Sequence, residues 1–135
     1  MEEFTYPEGI TVLINLWSSK EESKKLQDSK ILGEFLITLV NKLKMTPLRD
    51  TLILKEIPAL GHEGMTSVTA TIALLESHVC FHSWPEWNYM RLEISTCREA
   101  DVDSYSDSIN YIKEFFQCAR LDIKYKMWRD KDIDM

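Results

Sequence analysis

Apolar positions first gather in a β-branched and aromatic run, Ile10 to Trp17, whose composition predicts a strand. The pattern breaks at Ser18-Ser19-Lys20, and a charged stretch leads into a helix expected over about 28–44. There Leu32, Phe35, Leu36, Leu39, Val40 and Leu43 recur at helical spacing and draw one apolar stripe. Asp50 to Ile57 is a second strand candidate, followed by a loop carrying Pro58, Gly61 and Gly64. Ser67 to Leu75 is again β-like, with Val68, Thr69, Thr71 and Ile72. Ser77 to Ser83 and Asn88 to Ser95 predict two more strands on either side of a turn at Pro85. In the second of these, Met90, Leu92 and Ile94 alternate with Arg91, Glu93 and Ser95, the mark of a half-buried antiparallel strand. Asp103 is the expected N-cap of a helix running to about Gln117, with Tyr105, Ile109, Ile112 and Phe116 on one face. Leu121 to Trp128 closes the chain as a strand, and Arg129 to Met135 is expected to fray as a polar tail.

The order is therefore strand, helix, four short strands, helix, strand. Two amphipathic helices need a sheet face to bury against, which predicts an α+β fold: a two-layer sandwich of a mainly antiparallel sheet with two helices packed on one face. The alternation within the strands and the shortness of their connections argue against a parallel, doubly wound sheet. A length of 135 residues predicts a single domain over 1–135.

Composition narrows the function. Hydrophobic content of 44% against 28% charged residues is enough for one core without disulfide or metal staples. A net charge of −6 argues against nucleic-acid binding, which needs a basic surface, but suits a cationic small-molecule substrate. No apolar run approaches the ~18 residues of a membrane span, and the acidic N-terminus does not have the form of a secretory signal. Three cysteines, Cys80, Cys97 and Cys118, with no CxxC motif, point to free thiols and a cytoplasmic setting. Cys80 and Cys118 are expected to be small buried hydrophobes. His62, His78 and His82 are not at metal-ligand spacing, so no metal site is expected.

Candidate chemistry concentrates in residues 76–86, Glu-Ser-His-Val-Cys-Phe-His-Ser-Trp-Pro-Glu, and in Cys97. The Ser77 hydroxyl can attack the preceding carbonyl of Glu76, turning the peptide into an ester. β-Elimination then breaks the chain and leaves dehydroalanine, which hydrolyses to a pyruvoyl group with loss of ammonia. His82 can act as acid or base near neutral pH, although strict alternation puts it on the opposite strand face from Ser77. Cys97, just past an alternating strand, can deliver a proton to a carbanion. Glu86 sits on a turn, and Trp84 and Trp87 can stack on a flat ligand. Taken singly, each of these residue types is commoner in a purely structural role; the combination is what carries weight.

Glu-Ser-His at 76–78, His-x-Trp-Pro-Glu at 82–86 and Thr96-Cys97 together resemble the signature segment of the short, pyruvoyl-dependent S-adenosylmethionine decarboxylase proenzymes. The resemblance is clear from about Ser67 to Asp103 and looser over the flanking elements. It implies cleavage between Glu76 and Ser77 into a β chain 1–76 and an α chain 77–135, with the pyruvoyl cofactor derived from Ser77. It implies that His82 and Thr69 assist processing, that Cys97 protonates the product carbon, and that Glu86 holds the ribose hydroxyls. It also implies a homodimer of processed protomers. The chain departs from the family at Asn15, where an acidic residue is common. It departs again in the Gly61–Thr66 loop, which lacks the aromatic that often stacks on adenine, and at Ser67 and Arg98, where glycine is common. These departures touch substrate recognition, so a basic amino acid such as ornithine or arginine is an alternative substrate. An unprocessed paralogue that regulates a partner is a third reading.

Overall fold

A computed structural model describes residues 4–98 and 101–129. Six strands form one antiparallel sheet: β1 (Ile10–Trp17), β2 (Ile53–Pro58), β3 (Thr66–Ala73), β4 (Ser77–Trp84), β5 (Tyr89–Thr96) and β6 (Arg120–Met127). Their order across the sheet is β2-β3-β4-β5-β1-β6. Two helices, α1 (Ser29–Lys42) and α2 (Val102–Phe116), complete the predicted two-layer α+β arrangement. Two short 3-10 turns, Ser23–Gln27 and Pro85–Trp87, fill stretches expected to be irregular. Beyond Arg129 the expected polar tail lies outside the described residues.

Alternation explains the layering. Val12, Ile14 and Leu16 of β1, Val68, Ala70 and Ile72 of β3, Val79 and Phe81 of β4, and Met90, Leu92 and Ile94 of β5 point the same way and are buried. Against them α1 buries Leu32, Phe35, Leu36, Leu39 and Val40, the stripe read from the sequence, with Leu43 buried just beyond its end. Phe35 is the hub of this core, meeting Phe81 at 6.5 Å, Phe116 at 5.0 Å and Phe115 at 4.9 Å. Burying a side chain of this size stabilises the fold by roughly 1.5–3 kcal/mol.

Three expectations are corrected. Asp101, not Asp103, caps α2: its carboxylate accepts from the Ser104 amide and, at 2.8 Å, from the Ser104 hydroxyl. These bonds hold the Asp101 carboxyl below its usual range. The buried stripe of α2 includes Ser104 and Ser108 beside Ile112 and Phe116, because the Ser108 hydroxyl satisfies itself on the Ser104 carbonyl at 2.7 Å. Cys80 is not in the core. It is half-buried on the opposite sheet face, against Glu93. Cys118, also half-buried, does pack against the core.

The sheet face away from the helices carries the candidate residues Thr69, His82 and Asn15. One cross-strand row on it reads Lys55, Thr69, His82, Arg91, Asn15, Asp122. The next row is aromatic: Trp84 stacks on Tyr89 at 5.2 Å, Tyr89 on Trp17 at 5.1 Å, and the Arg120 guanidinium caps Trp17.

Candidate active site

Three segments converge on the Glu76–Ser77 peptide. A tight turn brings β3 into β4, with the Leu74 amide donating to the Ser77 carbonyl at 2.8 Å. The end of β5 lies alongside, pairing Thr96 with Ser77. One step further, the Cys97 amide donates to the Glu76 carbonyl at 2.8 Å. The stretch leaving α1 completes the setting: the Thr46 amide and hydroxyl both donate to the Glu76 carboxylate, at 2.9 and 3.4 Å. Ser77 has φ 158°, close to fully extended backbone, so the peptide is held by hydrogen bonds and not by a left-handed kink. Cys97 is exposed beside it.

His82 and Thr69 form a second group. They face each other across β3 and β4, and the Thr69 hydroxyl lies 3.0 Å from His82 Nδ1. Arg91 flanks His82 on the other side. Ser77 and His82 are not brought together within one chain: they have opposite parity on β4 and stand roughly 16 Å apart along it at the usual strand rise.

A cavity of about 350 Å3 opens next to this second group, lined by Thr69, His82, Trp84, Glu86, Trp87 and His62 among others. Glu86 enters it from the Pro85–Trp87 turn, and its Oε2 is buried with no hydrogen-bond partner. A carboxylate oxygen kept from water without a donor is a poised acceptor for ligand hydroxyl or amine groups. Trp84 supplies an aromatic wall. His62, not among the candidate site residues, joins the same cavity through the β2–β3 loop.

Asn15 is joined to this face too, accepting from the Tyr89 hydroxyl. Thr46 and Arg98 are site neighbours that the sequence did not single out as such. Thr46 is thirty residues from Glu76, and only the fold brings them together. Among the described residues no cluster of His, Cys, Asp and Glu could hold a metal ion, and no helix is long and apolar enough to cross a membrane.

These features define a small α+β protein with a serine–cysteine pair at the end of two neighbouring strands and a histidine–threonine pair on the open sheet face. The chain belongs to the S-adenosylmethionine decarboxylase family, whose sequence model matches residues 10–129. It is 27% identical to an S-adenosylmethionine decarboxylase proenzyme of Methanococcus maripaludis over 128 residues, covering 93% of this chain and 95% of that one. It is 34% identical to the proenzyme of Acidithiobacillus ferrooxidans over 60 residues, a stretch that spans 44% of each chain. The fold matches the crystal structure of the adenosylmethionine decarboxylase from Aquifex aeolicus with a TM-score of 0.69 at 17% identity, over 97% of this chain and 100% of the other.

Proposed function

We propose that this protein is a self-processing, pyruvoyl-dependent S-adenosylmethionine decarboxylase, a carboxy-lyase whose product feeds aminopropyl groups to spermidine and other polyamines. The observation that carries the reading is the Cys97 amide on the Glu76 carbonyl, the bond that Ser77 would have to attack. As the Ser77 oxygen adds to that carbonyl, negative charge grows on its oxygen, and the Cys97 N–H is already in place to receive it. Cleavage there divides the single domain 1–135 into a β chain 1–76 and an α chain 77–135.

The residues at this point suit a pyruvoyl group made from Ser77. A group at the head of β4 stays beside the exposed Cys97. When present it supplies an electron sink for loss of carbon dioxide. The chain's own part is then to bind, orient and protonate. Cys97 delivers a proton to the product carbon. His82, oriented by Thr69, handles protons during self-processing. Glu86, with its unpartnered oxygen, takes the ribose hydroxyls, and Trp84 packs against the adenine.

The active unit is a homodimer. One chain keeps its serine–cysteine pair and its histidine–threonine pair apart. It also leaves a sheet face bearing Trp17, Trp84 and Tyr89 without helices over it. Two copies packed through that face by a two-fold axis would complete two sites, each drawing Ser77 and Cys97 from one chain and Thr69 and His82 from the other. A Cys97 that must remain a free thiol fits the reducing cytoplasm.

Intact mass under denaturing conditions tests this first. The expected result is two chains split between Glu76 and Ser77, the C-terminal one lighter by ammonia than simple hydrolysis would leave it. Decarboxylation of S-adenosylmethionine, with ornithine and arginine offered in parallel, then reads the substrate. A single uncut chain, inert toward all three, would sink the proposal.

A further inference from the structure

Arg98 reaches back across the same site. Its Nη2 donates to the carbonyls of Lys44 at 3.0 Å and Leu43 at 3.4 Å, where the chain leaves α1. Its Nη1 lies 4.0 Å from Glu76 Oε2. Its own amide donates to the Thr96 hydroxyl at 3.2 Å, which fixes the residue just after Cys97. The guanidinium is half exposed, whereas the Glu76 side chain is only 11% exposed. A mostly buried carboxylate therefore sits among Thr46 donors with one cation at its open side.

We propose that Arg98 is a positioning residue for self-cleavage and the dock for the chain end that cleavage creates. The inference rests on the reading above, that the Glu76–Ser77 bond is cut. Before the cut, Arg98 braces the Glu76 side chain against the α1 exit and keeps the scissile carbonyl on the Cys97 amide. In the cut, the Ser77 oxygen bonds to the Glu76 carbonyl carbon as the C–N bond breaks and the nitrogen takes a proton. Elimination then removes the Ser77 α-proton and breaks the bond between its Cβ and oxygen. Glu76 is left with a second carboxylate at the new chain terminus. Two negative charges then share a pocket where one sat before, and the Arg98 guanidinium, with five N–H donors, is the cation that can serve both.

The test uses the whole chain, with two variants. Arg98→Met keeps much of the stem and deletes the charge, whereas Arg98→Lys keeps the charge. Cleavage is timed by denaturing gel after cell-free synthesis, and the same substitutions in a Ser77→Ala background report the stability of the uncut fold. Arg98→Met is expected to cut roughly three-fold more slowly or worse, as for loss of a half-exposed ion pair, with Arg98→Lys nearer the parent. A second readout is trimming of the new β-chain end by a carboxypeptidase, followed by mass. The parent end should resist, and the Arg98→Met end should lose Glu76.

Equal cutting rates and equal trimming in parent and Arg98→Met would overturn the role of Arg98 while leaving self-cleavage intact. Arg98→Lys cutting as slowly as Arg98→Met would overturn the part played by charge. A parent chain that never cuts would overturn both this proposal and the one it rests on.

Discussion

The amide of Cys97 donates to the carbonyl of Glu76 at 2.8 Å, so one residue can serve two reactions with two different groups. Its backbone N–H faces the Glu76–Ser77 peptide, the bond proposed to break, and its exposed thiol is free for the proton transfer proposed to follow. The two roles separate by substitution. Cys97→Ala keeps the amide and should still cleave, yet lose turnover. Cys97→Pro removes the N–H and should slow cleavage about a hundred-fold or more, the usual cost of losing one oxyanion donor. Ser77→Ala should fold and never cut. Gel analysis of the three variants, with circular dichroism to confirm folding, reads the outcome. Equal cleavage in Cys97→Pro and Cys97→Ala would remove the amide from the mechanism.

Glu86 offers an acceptor with nothing to accept from. Replacing it with Gln removes the negative charge and should raise KM for S-adenosylmethionine by about ten-fold, the scale of one charged hydrogen bond. Cleavage should be unaffected, because the Thr69–His82 pair that moves protons in processing is joined by its own hydrogen bond, in which Glu86 takes no part. Steady-state kinetics on fully processed enzyme separates the two effects. An unchanged KM would take Glu86 out of substrate binding.

The three thiols should differ sharply in behaviour. Burial, with the Glu93 carboxylate second, pushes Cys80 from its ordinary 9.0 up to about 11, and burial does the same for Cys118. In both, the folded state favours the neutral thiol. Their contribution to stability is therefore full below about pH 9, where the unfolded thiols are also protonated, and is lost as pH climbs toward 11. Urea midpoints should fall over that window in the parent and fall less in a Cys80→Ala, Cys118→Ala double variant. Iodoacetamide near neutral pH should modify the exposed Cys97 first. Labelling of Cys80 ahead of Cys97 would contradict this order.

Much of the fold was legible because each element repeats its own signal. The α1 stripe from Leu32 to Leu43 is periodic over three turns, and Met90, Leu92 and Ile94 alternate cleanly. Composition does not decide the cap of α2, because Asp101 and Asp103 both satisfy the rule; only the reach of Ser104 back to Asp101 settles it. Burial of Ser104 and Ser108 is not readable from composition, because a buried hydroxyl needs a backbone acceptor that only the fold supplies. The candidate site can be read only as residue types in a familiar order, and strand parity already separates Ser77 from His82. What could not be read was contact between distant positions. Thr46 with Glu76, and Arg98 with Leu43 and Lys44, depend on where α1 ends relative to the β3–β4 turn.

The separation of Ser77 from His82 leads to the most decisive prediction. If each site takes Ser77 from one copy and His82 from the other, two defective chains can repair one another. A Ser77→Ala chain cannot be cut but still offers Thr69 and His82 to its partner. A His82→Ala chain keeps Ser77 and Cys97 but lacks the partner's imidazole when paired with itself. Expressed alone, the first should remain intact and the second should cut slowly. Coexpressed in equal amounts with distinguishable tags, they should pair at random, placing about half of the His82→Ala chains in mixed dimers. Those chains should then cut at the parent rate, and the Ser77→Ala chains should stay whole. The gel would show a fast phase of that amplitude on one tag alone. Persistently slow cutting of His82→Ala, in dimers verified as mixed, would show that His82 serves its own chain or none.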